Sequence, residues 1–263
     1  MPRQQTAVEF LLEVQKGHIP KHSIWRMLGE FELGTVTVNG EDVCRFRDFT
    51  PSGPARLPSP SLLGEKMTVI SESNADNGAT ATGVLSVRIH YLDVNGDQQI
   101  EDVVMNGTSA VDTVADDIIF VNDFHTMTVG TNGVAEGSIA IYKKGSTIPL
   151  SLYNMIEKGG NKSLVPHRMT PIGHTLFLVS WSAEETKDKR AWFRLRATCH
   201  EGHPTPGVFN FIDTVPLSKM SSGQRDLIFY PIPEMQTVKV SQWGDQLAAE
   251  GGCSIIGVLV DNR

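Results

Sequence analysis

"VLSVRIHYLDVNGDQQIEDVVMNGT" (Val84–Thr108) is the stretch on which the reading of this chain turns. Its first half alternates. Leu85, Val87, Ile89 and Tyr91 fall on one face, and Ser86, Arg88 and His90 fall on the other. A period of two over that length predicts a half-buried β-strand. At the corner, Asp93, Asn95 and Asp97 place side-chain oxygens at every second position, as the opening of a calcium loop does. Such a loop also needs glycine at position 6 and a bidentate glutamate at position 12. Here Gln98 and Val104 stand in those places, and the flanks alternate like strands rather than helices. The corner is therefore predicted to be a β-hairpin turn at Asn95-Gly96, with no metal.

The same alternation continues in both directions. "KMTVISES", "DDIIFVNDFHTMTVG" and "GSIAIYKKGS" follow at intervals of about ten residues, the spacing of sandwiches and barrels. Beyond "IPLSLYNMIEKGGNKSLV" come "GHTLFLVSWSA", "RAWFRLRATCH", "GVFNFIDTV", "RDLIFYPIP", "QTVKVSQWG" and "CSIIGVLVDN", all in the same style. "ETKDKR" (185–190) reads as a charged hairpin tip, and "GDQLAAEGG" (244–252) as a short helical or irregular connection. No fixed repeat is visible, which argues against a solenoid. The predicted fold is all-β, a sandwich or jelly-roll-like architecture of two packed units spanning 65–148 and 149–263.

Residues 1–64 read differently. Thr6 and Glu9 have capping-box spacing, so a short helix stopped by Gly17 and Pro20 is one prediction; Val8-Phe10-Leu12-Val14 also alternates, so a strand is the other. Val36, Val38, Val43, Cys44 and Phe46 flank Asn39-Gly40 as a hairpin would. Pro51, Pro54, Pro58 and Pro60 then forbid a helix interior or a central strand, leaving an extended linker. This region is expected to be an arm, and deletion of residues 1–60 is expected to leave a folded β-domain.

Net charge is −7 over 263 residues, which argues against an electrostatic grip on nucleic acid or an anionic membrane. No apolar run approaches the roughly 20 residues of a membrane helix. The first residues lack the uncharged core of a signal peptide, so folding in a cytosol is expected. Three well-separated cysteines, Cys44, Cys199 and Cys253, fit reduced thiols better than a disulfide framework, with an intermolecular bridge as a lesser alternative.

Chemistry-bearing clusters are few. Cys199, His200, Glu201 and His203 form the densest, but a structural zinc site wants four ligands, and His167 and His174 could join only through folding. The bland reading places Cys199 in the core and the histidines in a loop. Hydrolase and phosphate-loop signatures are missing. Asp116-Asp117 and Glu184-Glu185 are sequence neighbours, which on a strand point to opposite faces rather than into one cleft. No catalytic residue, metal or cofactor is expected. In "AWFRLRAT", Phe193, Leu195 and Ala197 alternate with Trp192, Arg194 and Arg196. The second set has the composition of protein interfaces. Trp181, Trp192 and Trp243 on loops could instead stack on sugars.

The order of these motifs resembles a family of tailed-bacteriophage virion proteins. The residues that carry the likeness are Val87-Arg-Ile89-His-Tyr91-Leu92-Asp93-Val-Asn95-Gly96 and Glu101-Asp-Val103-Val-Met105-Asn106-Gly107-Thr108, with Val111 and Thr113 following. Met169–Ala183, Trp192–Thr198 and Gly257–Asn262 are similar as well. Tyr91, where the family favours glycine, and the bulky "ATCHEGHP" depart from the pattern. The resemblance implies a non-enzymatic structural component of a virion, assembled in the host cytoplasm, such as a capsid decoration or neck and collar protein. It implies partners that are copies of itself and other virion proteins, so the β-domain left by deleting residues 1–60 is expected no longer to incorporate into particles. A receptor- or glycan-binding module is the alternative.

Overall fold

The computed structural model describes residues 6–32, 41–42, 63–78, 82–146, 152–205, 208–244 and 249–263. The N-terminal ambiguity resolves to a helix, α1 (Ala7–Gln15), because the capping box forms: Glu9 N–H donates to Thr6 Oγ1 at 3.2 Å and Thr6 N–H donates to Glu9 Oε2 at 2.8 Å. Two strands follow, β1 (His22–Glu32) and β2 (Glu41–Asp42). A first sandwich then uses β3 (Met67–Ser71), β4 (Val84–Asp93), β5 (Gln98–Val104), β6 (Val111–Asp112), β7 (Ile118–Val129), β8 (Ile139–Lys143) and β9 (Leu152–Ile156). The rest of the chain supplies β10 (His167–Met169), β11 (His174–Glu185), β12 (Arg190–Ala197), β13 (Cys199–His200), β14 (His203–Pro204), β15 (Asn210–Ser218), β16 (Ser222–Ile232), β17 (Thr237–Gly244) and β18 (Glu250–Asp261).

The fold is all-β, and two separate cores define two sandwiches. In the first, sheet β6-β3-β8-β9 faces sheet β5-β4-β7 over Val69, Val87, Ile89, Phe124, Ile141 and Ile156. The alternation in β4 buries Val87, Ile89 and Tyr91 as predicted, but Val84 rather than Leu85 enters the core. Pairing with β7 shifts register on both sides of Ser86, and that shift rotates the strand's beginning. In the second sandwich, sheet β1-β18-β11-β16 faces sheet β10-β17-β12-β15, with β2 paired to β17. Trp181, Phe31, Phe193, Leu195, Val240 and Ile255 fill the space between. Burial of one such side chain contributes about 1.5–3 kcal/mol.

Four expectations change. The supposed arm is in part an integral strand: β1 pairs antiparallel with β18 from His22↔Val260 to Glu32↔Glu250, and its Met27 and Phe31 are core residues. Of the Asn39-Gly40 hairpin only Glu41 and Asp42 fall within the described residues, and they pair with Trp243 and Gln242; the proline-rich stretch lies outside them. "ETKDKR" is not a hairpin tip within one sheet, because β11 and β12 lie in opposed sheets. It crosses the sandwich edge, held by the buried Glu185 carboxylate, which accepts from Lys187 N–H at 2.7 Å and from Met220 N–H at 3.0 Å. Finally, Gly251 and Gly252 of the expected irregular connection are in β18; a Cβ on Gly251 would lie 2.5 Å from the Phe193 ring. β9 pairs with β8, so the first sandwich runs past residue 148.

The sandwiches meet along β7 and β10. Leu92, Ile119, Phe120 and Met169 form a small apolar cluster there, with Met235 packed against it. Asn122 acts as a piece of backbone, donating Nδ2–H to Met169 O at 2.9 Å and accepting from Met169 N–H at 2.8 Å. The Asn95-Gly96 corner belongs to this junction too. Gly96 O accepts from Ile172 N–H at 2.9 Å, and Asp97 pairs with Arg263 at 3.2 Å.

Candidate protein interface

The outward face of sheet β10-β17-β12-β15 concentrates aromatic rings and cations. Alternation in β12 sends Ala191, Phe193, Leu195 and Ala197 inward, so Trp192, Arg194 and Arg196 face out. Cross-strand pairing sets Trp192 opposite Trp243, with ring centroids 4.5 Å apart, and sets Arg196 opposite Lys239. The Arg194 guanidinium lies 5.1 Å from the Trp243 ring and 5.5 Å from Phe211, and that of Arg196 lies 4.5 Å from Phe211. Lys239 Nζ stands 4.1 Å from the Phe209 ring. Cation–π contacts of this kind contribute about 0.5–1 kcal/mol each at exposed sites. Phe211, 56% exposed, projects furthest among these rings. A large apolar ring flanked by guanidinium planes is the chemistry that anchors protein partners.

Sequence reasoning named Trp192, Arg194, Arg196 and Trp243 but missed Phe209, Phe211 and Lys239. A signal was available in "GVFNFIDTV", where Phe209 and Phe211 are two apart and share one side of a strand. The three tryptophans offered for sugar stacking all lie on strands rather than loops. Trp181 is in the core, donating Nε1–H to Asp213 Oδ2 at 3.0 Å. Trp192 and Trp243 cover one another.

The metal candidates resolve individually. Asp93 spends both carboxylate oxygens on its own hairpin: Oδ1 accepts from Asn95 N–H at 2.9 Å and Asp97 N–H at 3.1 Å, and Oδ2 accepts from Gln99 Nε2–H at 3.0 Å. Gly96 N–H donates to Asp93 O at 2.8 Å, closing a turn around Val94 and Asn95, and Gly96 itself takes φ +81°. Cys199 faces the core, where burial pushes its thiol up to about 11, while the neighbouring His200 is exposed and pairs with His203 across the Glu201-Gly202 turn. Of the histidines that folding might have added, His174 Nδ1 contacts its own loop at Ile172 O, and His167 is clamped between Phe120 and Phe209. Among the described residues no cluster of three or more His, Cys, Asp or Glu side chains is placed to hold a metal. Cys199 and Cys253 are buried free thiols; Cys44 lies outside the described residues. Glu184 faces solvent and Glu185 the interior, as neighbours on a strand must.

Two carboxylates, Asp76 buried and Asp123 half-buried, escaped the sequence altogether. Asp76, in the turn-rich stretch before β4, takes four hydrogen bonds: Ser71 Oγ–H at 2.6 Å and the N–H groups of Val84, Glu136 and Gly137 at 2.8, 3.0 and 2.9 Å. Asp123 on β7 accepts from Arg168 at 3.1 Å and Lys162 at 3.0 Å, and those two cations hold its carboxyl down to about 2 against the opposing effect of burial. Both depend on partners far away in sequence.

No protein-family model matches this chain, and no curated protein does. Among solved structures, the chain is similar to that of infectious bursal disease virus, Gx strain, with a TM-score of 0.24 and 9% identity over 92% of this chain and 72% of the other. It is also similar to the cowpea mosaic virus top component, a naturally occurring empty particle, with a TM-score of 0.20 and 9% identity over 76% of this chain and 82% of the other. Likenesses at these scores carry no argument here.

Proposed function

We propose that this protein is a structural, non-enzymatic component of a tailed-phage virion, acting as a capsid decoration or neck and collar protein by assembling with copies of itself and neighbouring virion proteins. The observation that carries the assembly reading is the outward face of β12, β15 and β17. Trp192, Arg194, Arg196, Phe211, Lys239 and Trp243 sit together there on a rigid sheet instead of on loops. Rings held by strand backbone lose little freedom on binding, which is what a permanent interface needs. The placement in a virion rests on the motif resemblance of Val87–Thr108 and Met169–Ala183. The test is incorporation: Phe211→Ser combined with Arg194→Glu, both outward on the sheet, is expected to leave thermal stability within a few degrees and to cut incorporation into particles at least tenfold. Normal incorporation of a folded variant overturns the reading of this face, and a particle map that locates the chain identifies its neighbours.

The half-exposed Trp192–Trp243 pair keeps a second reading in view, a glycan- or receptor-binding module. Selective binding on a glycan array, lost in Trp192→Ala, would favour that reading over assembly.

A further inference from the structure

The junction between the sandwiches holds a charge cluster that the assembly reading does not use. On the outer face of β4 and β7, His90 and His125 stack with ring centroids 5.3 Å apart and planes 28° from parallel. Asp123 stands directly across from His90 in the ladder and 3.8 Å from His125 Nδ1, which is buried and has no hydrogen-bond partner. The same Asp123 carboxylate is the anchor for Arg168, which arrives on β10 from the second sandwich and is almost wholly buried, and for Lys162 on the connecting segment. A cavity of about 200 Å³ opens beside them, lined by His90 and Asp123 of the first sandwich and by Arg168, Trp25 and Arg26 of the second.

We propose that this junction is an acid-operated hinge, in which protonation of His90 and His125 draws Asp123 away from Arg168 and releases β10 from β7.

The charged groups facing the pair can be followed element by element. β4 contributes Arg88, which is matched by Asp102 of β5 through two hydrogen bonds at 2.7 and 2.8 Å. β7 contributes Asp123, the connecting segment Lys162, β10 Arg168, and β1 Arg26 across the cavity. His167 also lies on β10, but burial keeps it neutral down to about 3. Around neutral histidines the cluster already carries more cations than carboxylates. Each histidine that takes a proton from water adds one more positive charge, and both new charges compete with Arg168 and Lys162 for one carboxylate. The sign follows from burial, which holds both histidines below their ordinary value. The unfolded or separated state therefore binds protons first, and the closed junction loses ground as pH falls through about 6.5 and below. The cavity gives water a place to enter as the contact opens.

Amide exchange on the intact protein, corrected for intrinsic rate, tests the hinge. Between pH 7.5 and 5.0 the segment 167–172 is expected to lose protection at least tenfold, while β12 and β8 keep theirs. His90→Gln combined with His125→Gln is expected to abolish the pH dependence. Unchanged protection in the wild type overturns the proposal. So does an equal loss in the double variant, or a loss shared by both cores, which is global unfolding. If the double variant does not fold, NMR titration of the wild-type histidines decides: opening must track the protonation of His90 and His125, and a midpoint more than one pH unit away overturns the hinge.

Discussion

At the scale of single residues, the loop that reads as mere turn chemistry holds one of the best-connected side chains in the first sandwich. Asp76 joins β3, the start of β4 and the approach to β8 through four accepted hydrogen bonds, three of them from backbone N–H groups. Gly83 approaches the same carboxylate so closely that no Cβ fits. Replacing Asp76 with Ala strands those donors in the interior, where each unsatisfied group costs about 1–3 kcal/mol. Asp76→Ala is expected to lower unfolding free energy by about 3 kcal/mol or more in chemical denaturation, and Asp76→Asn, which keeps the shape and part of the bonding, by less. Equal stability of the Ala variant would show that water satisfies these donors equally well. Nothing in local spacing announces this role, since the bonds reach as far as residue 137. Asp93 is the opposite case. Its partners lie within six residues, and the failure of the calcium pattern at Gln98 and Val104 already pointed to a turn.

The hairpin between β4 and β5 shows what is and is not legible at the scale of an element. Its existence and its alternating faces follow from period two, because the strand period depends only on backbone geometry. Its second role does not. The corner docks on the other sandwich, where a Cβ on Gly96 would lie 2.5 Å from Met235 Sδ and 3.2 Å from Ile172 Cβ. Gly96→Ala is expected to cost about 1–2 kcal/mol for the left-handed backbone alone, and more for the crowding. Pairing it with Met235→Ala separates the two contributions: the double variant should recover the crowding and retain the backbone cost. Additive losses in that cycle would mean that the corner does not press on Met235. The "ETKDKR" crossing is illegible for a related reason. A hairpin tip and a sheet-to-sheet corner demand similar polar, flexible residues, and only the partners of β11 and β12 tell them apart.

For the whole molecule, composition and strand spacing were enough for the all-β class and for a pair of sandwiches, but the allocation of strands was not. β1 is separated from the rest of its sheet by more than a hundred residues, and no periodicity encodes a partner at that distance. Deleting residues 1–32 is therefore expected to damage the second sandwich instead of trimming an arm. Exchange protection should collapse in β18, which loses its partner along eleven paired positions, while β3, β4 and β8 retain theirs. Full protection of β18 in the truncated protein would contradict the contribution assigned to Met27 and Phe31. The candidate face lies between these extremes: β12 announced half of it, and the rest came from β15 and β17, which lie well beyond it along the chain.

The placement of β18 between β1 and β11 bears on the order in which the molecule can be built. It comes last of the described strands along the chain, yet it occupies an inner position in its sheet. A ribosome finishes β3 to β9 as one contiguous block, so the first sandwich can close while synthesis continues. β1 has by then waited through some 220 residues for its strand partner among the described residues, and β11 lacks a neighbour on one side until the same moment. Until β18 is made, the nascent protein thus carries an open seam along both β1 and β11, and β18 is the strand that closes it.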